Sequence, residues 1–215
     1  MFFFAGCQAN KEIITSNTDS IEIDADDYLR QEAENGSVHA QILLGTNHAE
    51  TASSPRECMV ALEWLNRAAS QKEVNAYLAL GFYYLSDNCS SSGNNKAAEY
   101  FLKAAESGNM DAQAMIAGMY ADGDRIPRNY TKAILWGLRA AKQGSSLGQH
   151  ITGLLYAQGK GVNKDFIEAC FWLSLAASQG AKDSLLLMNS IERTLTAQEM
   201  KMVQKKAEGF HAKPE

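Results

Sequence analysis

The chain holds 215 residues, of which 46% are hydrophobic and only three are proline, so it is long enough to bury a core in one or two folded domains. A formal net charge of -5 gives it no chain-wide attraction to phosphate and excludes a nucleic-acid binder that works through bulk charge.

In chain order, the first segment is MFFFAGC, whose apolar run of six residues before Cys7 is too short to span a membrane as a helix. FAGC resembles the end of a bacterial lipoprotein signal, where an apolar residue and two small ones precede a cysteine that is cleaved and lipid-modified; Phe4 stands where leucine is usual. The resemblance implies lipidation of Cys7, with residues 1–7 a signal remnant. Gln8 is not the aspartate that commonly retains lipoproteins in the inner membrane. The implied location is therefore the bacterial periplasm, lipid-anchored at the outer membrane, with no other membrane contact. Residues 8–23 are polar, lack an apolar period and read as a flexible tether.

From residue 24 to 193 the chain repeats. ALEWLNRAA, AAEYFLKAA, AILWGLRAA and ACFWLSLAA begin at Ala61, Ala97, Ala133 and Ala169, each 36 residues after the last. Aromatics hold the same register at Tyr28, Trp64, Tyr100, Trp136 and Trp172, and small residues at Ala40, Ala76, Ala112, Gly148 and Ser184. Ala61, Trp64, Leu65, Ala68 and Ala69 share one helical stripe; Ala112, Ile116 and Tyr120 share another. Each unit is thus predicted to be two helices joined at a short turn, marked by Gly36, Gly108, Gly144 and Gly180, with Lys72 as the exception. Helix starts are predicted at Ser54, with Pro55 and a capping-box Glu57, and at Asp165 with Glu168.

Alanines and glycines on both helices allow close approach, and the aromatics are assigned to the core, so a lone pair cannot bury its stripe and must stack. The expected fold is all-α: a right-handed α-α superhelix, or solenoid, of about five 36-residue helix-turn-helix repeats, first helices lining the concave side. Residues 194–215 form the closing element. Thr196 and Glu199 make a capping box there, and Met200, Val203, Ala207 and Phe210 a stripe that can cover the last pair.

The repeated AxxWLxxAA, the glycine turn, AxxxLGxxY and the loop GKGVNKD at Gly159–Asp165 resemble Sel1-like repeats, relatives of the tetratricopeptide repeat, over residues 25 to 193. Departures are Arg125 in place of the second loop glycine, Ala117 in place of a helix glycine, and the loop SDNCSSSGNN.

Chemistry is scarce. His39, His48, His150 and His211 are scattered and form no metal or catalytic spacing, so no metal and no cofactor are expected. GKGVNKD lacks the spacing and Lys-Ser/Thr ending of a phosphate loop and reads as a turn between repeats. The acids of DADDY at Asp24–Tyr28 read as first-turn acids of a helix. Cys170 lies among apolar residues as a buried hydrophobe. If the chain is exported, Cys58 and Cys89 form a candidate disulfide.

What remains is the surface of the first helices: Glu63 and Arg67; Glu99, Leu102 and Lys103; Leu135, Leu138 and Arg139; Phe171 and Leu175. These are the candidate partner-binding residues, an apolar patch beside a row of cations. The alternative left open is that the closing helix folds over them. The expected function is a non-enzymatic scaffold that grips another protein on its concave face. The resemblance implies a sharper form, an immunity protein against a periplasm-acting effector such as a type VI secretion phospholipase. An envelope adaptor for wall enzymes or host contact is the alternative, and a β-lactam-hydrolysing enzyme a distant one, since those relatives carry a cysteine pair in every repeat.

Overall fold

The computed structural model describes residues 25–86, 89, 94–123 and 125–211. Cys7, the tether and the last four residues lie outside them. Among the described residues there are eleven α-helices and no strand: α1 (Ala25–Glu34), α2 (Val38–Thr51), α3 (Pro55–Ser70), α4 (Val74–Leu85), α5 (Asn94–Glu106), α6 (Met110–Asp122), α7 (Tyr130–Lys142), α8 (Ser146–Gln158), α9 (Phe166–Ser178), α10 (Lys182–Glu192) and α11 (Ala197–Glu208). The fold class is the all-α helix-pair repeat of the α-α superhelices. The chain divides into two compact units, one ending at Ala76 and the other beginning at Tyr77.

In the first unit α1 ends as Gly36 turns left-handed, and Ser37 caps α2 by accepting from the Ala40 N–H. Ala33, Ala40 and Leu44 form its small core, with Leu29 and Trp64 packed on it. Tyr28 corrects the expectation for the aromatic row: it is 56% exposed. α3 starts with the full capping box of Ser54 and Glu57 and with Pro55 in its first turn. It approaches α2 closely at Gly45, where a Cβ would lie 2.6 Å from Leu65 Cγ. Lys72 takes the left-handed turn conformation, φ 61°, that its registered counterparts Gly108, Gly144 and Gly180 take as glycines.

In the second unit the same contact recurs with the same chemistry. Gly81 faces Phe101 and Gly153 faces Leu173, each at 2.6 Å from where a Cβ would stand. The repeat between them reverses the pair: Ala117 holds the glycine position and Gly137 the large-residue position, and a Cβ on Gly137 would meet Ala117 Cβ at 3.8 Å. The departure at Ala117 is therefore compensated across the helix interface. The small rows are buried where expected, Ala97, Ala105, Ala112, Ala133, Ala141, Ala169 and Ser184 among them. Arg125, φ 64°, does the backbone work that Gly161, φ 72°, does one repeat later.

The chain closes with α11, whose Thr196–Glu199 capping box is complete. Val203 is buried, and Ala207 and Phe210 pack with Leu195 on the core around Phe171, Trp172 and Leu173 of α9. Asp165 caps α9 as expected by accepting from the N–H groups of Ile167 and Glu168. Glu168 does not complete a box there; its carboxylate pairs with Lys206 and ties α11 to α9.

Glutamines supply a second repeated device. Gln41 in the first unit, and Gln113 and Gln149 in the second, are buried and donate to the carbonyl eight residues back, those of Ala33, Ala105 and Ala141. A buried amide so placed satisfies a helix-end carbonyl that water cannot reach.

Candidate partner-binding surface

The exposed residues of α3 in the first unit, and of α5, α7 and α9 in the second, change chemistry from repeat to repeat. In α3 Glu63 and Arg67 are an i, i+4 ion pair at 2.7 Å, and Arg67 also lies 4.7 Å above the Trp64 ring. In α5 Glu99 and Lys103 pair at 2.9 Å, and Lys103 lies 4.9 Å above Tyr100. The hydrogen bond from Lys103 to Glu99 holds the ammonium pKa above its ordinary value. Both pairs are exposed, so each contributes well under about 1 kcal/mol. Leu102, on the same helix, is half-buried.

In α7 the acid is replaced by Leu135, which is 50% exposed. Arg139 still sits 4.7 Å above Trp136, but among the described residues it has no carboxylate partner. Lys142, one turn on, is exposed and likewise has none. In α9 both positions are apolar, Phe171 and Leu175, and Trp172 is covered by the Phe210 ring at 5.7 Å instead of by a cation.

That substitution corrects part of the sequence expectation. Phe171 is 3% exposed, held at 4.6 Å from Trp172 and 5.8 Å from Phe210, with Lys206 at 4.5 Å over its ring. Leu138 and Leu175 are half-buried against the same cluster. The closing helix covers these residues because an unpaired apolar stripe on the last repeat must be buried by something. Leu135 and Arg139 are left open, and Glu63, Arg67, Glu99 and Lys103 carry charges already paired along their own helices.

Where α11 meets α9 its cover is incomplete. A shallow groove of about 490 Å³ runs between Leu138 and Lys142 of α7, Tyr156 of α8, Glu168, Phe171 and Trp172 of α9, and Lys206, Gly209 and Phe210. The indole N–H of Trp172, though buried, has no acceptor. Burial, followed by the nearby Glu168 and Asp165 charges, raises the Tyr156 phenol pKa, so it stays protonated and can donate.

Elsewhere, His150 Nδ1 lies 2.8 Å from the Ser184 hydroxyl, but Ser184 is fully buried in the small-residue row and is not presented to solvent. Cys170 is a free, buried thiol with its pKa pushed up to about 11, chiefly by burial, and so is a poor nucleophile. Cys58 is buried near the start of α3, and Cys89 is half-buried in the turn after α4. Among the described residues no helix is long and apolar enough to cross a membrane, and no cluster of three His, Cys, Asp or Glu side chains could hold a metal.

Four consecutive segments, residues 38–73, 74–109, 111–145 and 146–180, match the Sel1 repeat. Its frame begins on α2, α4, α6 and α8, one helix later than the frame read from the sequence. Translational repetition alone permits either, and the family frame groups the helices that meet at the Gly45–Leu65 and Gly153–Leu173 contacts. GKGVNKD accordingly lies inside a repeat, and the glycine turns lie between repeats. Among solved structures the chain is similar to c5321, a protective antigen present in uropathogenic Escherichia coli strains displaying an SLR fold, with 25% identity and a TM-score of 0.78. The match covers 90% of this chain and 42% of that one, so the chain spans less than half of c5321. A Sel1 repeat protein from Oxalobacter formigenes has the same fold, with 23% identity, a TM-score of 0.68 and coverage of 87% of this chain and 82% of that one. No curated protein matches the chain.

Proposed function

The chain belongs to the Sel1 repeat family, whose members mediate protein–protein interactions, and from that premise we propose that it is a non-enzymatic scaffold that binds another protein along α7 in its second unit. The observation that carries this reading is the loss of the self-contained ion pair at α7. Leu135 is exposed where Glu63 and Glu99 stand in earlier repeats, so Arg139 is left to neutralise a charge that comes from outside. Arginine is enriched at interfaces, and an exposed apolar side chain beside it gives a partner surface to desolvate. The test is capture of a defined partner from bacterial envelope extract. Binding should be lost in Leu135→Glu with unchanged melting, and retention of binding in that variant would move the interface elsewhere.

The finer form concerns the partner and the compartment. We read the chain as a periplasmic protein anchored through lipid on Cys7, holding and neutralising an effector such as a type VI secretion phospholipase. An exposed apolar and cationic stripe on α7 suits such a clamp. Co-expression with the candidate lipase should restore growth, and palmitate labelling should be lost in Cys7→Ser. The likeness to a protective antigen of uropathogenic E. coli favours a second reading, an envelope adaptor in contact with the host. Binding to host epithelial extract, rather than to a bacterial effector, would select it.

A further inference from the structure

The groove between α9 and α11 has a chemistry of its own, and we propose that it receives an acidic, partly apolar peptide segment of the partner, with a carboxylate on Lys142 and an aliphatic or aromatic side chain against Leu138 and Phe210. This inference rests on the protein-binding reading above and specifies its ligand.

Charge complementarity makes the case. The one carboxylate in the groove wall, Glu168, is already joined to Lys206, so it offers an entering acid little repulsion. Lys142 lines the same groove, is exposed, and has no carboxylate partner among the described residues; Arg139 stands one turn before it on α7, equally without an acid. The groove is thus cationic although the whole chain is acidic. Its remaining walls are apolar and aromatic: Leu138, Phe171, Trp172 and Phe210. Tyr156 adds a protonated hydroxyl as a donor in the wall. Aromatic and apolar walls beside an ammonium with no acid of its own match a carboxylate next to a hydrophobic side chain, the charge setting the register and the apolar walls supplying the buried area. Phe210 follows α11, so the groove exists because the closing helix docks on α9.

The experiment uses the full chain and a fluorescein-labelled, end-blocked decapeptide alternating Asp with Leu and Phe, titrated at low ionic strength and followed by anisotropy. Saturable binding is expected, at least tenfold weaker with Asn in place of Asp. Lys142→Glu should weaken it tenfold or more with melting unchanged, while Lys142→Arg retains it. Equal affinity for the Asn peptide, unchanged affinity in Lys142→Glu, or no binding of the acidic peptide overturns the proposal. Lys142-dependent binding to phosphatidylglycerol vesicles in preference to the peptide would also overturn it, since the groove would then serve a lipid surface. Because partner capture is disrupted separately by Leu135→Glu, the groove can fail this test while the scaffold reading stands.

Discussion

Gln143 donates its side-chain amide to the carbonyl of Gln113 at 2.8 Å, and the bond recurs 36 residues on, from Gln179 to Gln149 at 2.9 Å. The first unit holds its own copy, Gln71 to Gln41 at 3.0 Å. Each inner glutamine is buried and also serves the carbonyl eight residues before it. Gln71 and Gln179 reach further, to the carbonyls of Gly36 and Gly144. Two glutamines therefore lock one helix turn to the next, and the set is missing where Tyr77 and Ser107 hold the register.

Gln113→Leu should destabilise the fold by about 1–3 kcal/mol, because it leaves the Ala105 carbonyl and the Gln143 amide without this partner while adding no cavity. Urea unfolding checks it. The double variant Gln113→Leu, Gln143→Leu should cost less than the sum of the singles, since apolar groups replace both ends of one bond.

Sequence reading reached the helix pairs and turns because small residues and aromatics at a fixed period leave few packings, and Lys72 stood out as the one non-glycine at its turn. The glutamine lock is not legible from the apolar period. Gln reads as surface polarity unless its own period is noticed, and Gln41, Gln113 and Gln149 do share the 36-residue register. The fate of Phe171 was undecidable from its repeat alone, since a first-helix apolar residue is equally suited to a partner or to a closing helix. The one-helix shift in the repeat frame arises because a periodic chain has no marked beginning.

Two glycines in adjacent second-unit helices should respond oppositely to alanine. At Gly148 a Cβ would lie 2.5 Å from Ala140 Cβ and 2.9 Å from the Ala141 backbone nitrogen, so α7 and α8 must separate; overpacking of this kind costs about 1–3 kcal/mol. At Gly118 the added methyl meets only Ile151 Cδ1 at 3.6 Å, and alanine should gain about 0.5–1 kcal/mol through helix propensity. Thermal melts of the two variants should shift in opposite directions.

Leu135 and Phe171 separate surface from core. Phe171→Ala should cost about 3–5 kcal/mol and loosen α11, because it empties the site between Trp172 and Phe210. Leu135→Glu should leave the melting temperature within a degree or two of the parent and restore an ion pair with Arg139 on the pattern of Glu99 and Lys103. A large loss of stability in Leu135→Glu would place that side chain in the core.

We propose that Cys58 and Cys89 pair when the chain is exported. A bridge across a loop of roughly thirty residues should add about 3–4 kcal/mol by restricting the unfolded chain. Intact mass under non-reducing conditions should show two hydrogens fewer than the reduced chain, and alkylation of the unfolded protein should modify Cys170 while sparing that pair. Alkylation of both Cys58 and Cys89 without reductant would remove the bridge.

Stability should be flat across a plateau bounded by His150 and Cys170. Burial lowers the His150 pKa from 6.5, with Asp183 opposing weakly, so the folded state binds fewer protons than the unfolded chain. Its contribution is complete above pH 6.5 and is lost as pH falls through the depressed value. Cys170 acts in the opposite sense: burial, then the Glu192 charge, raises its pKa from 9.0 to about 11, so the folded state keeps a proton the unfolded chain releases. Its contribution is complete below pH 9 and is lost as pH rises through about 11. Tyr83, Tyr100 and Tyr156 are shifted upward from 10.0, so their phenols ionise first in the unfolded chain and add to the loss as pH nears 10; the onset of the alkaline slope around pH 9 is where Cys170 dominates. Urea midpoints measured across pH should therefore show a shallower alkaline slope around pH 9 in Cys170→Ala. In His150→Gln the acid slope should be shallower between pH 6.5 and 4.5, below which the lowered carboxyls of Glu57 and Glu199 add their own loss. An unchanged slope around pH 9 in Cys170→Ala would assign the onset of the alkaline loss to another group.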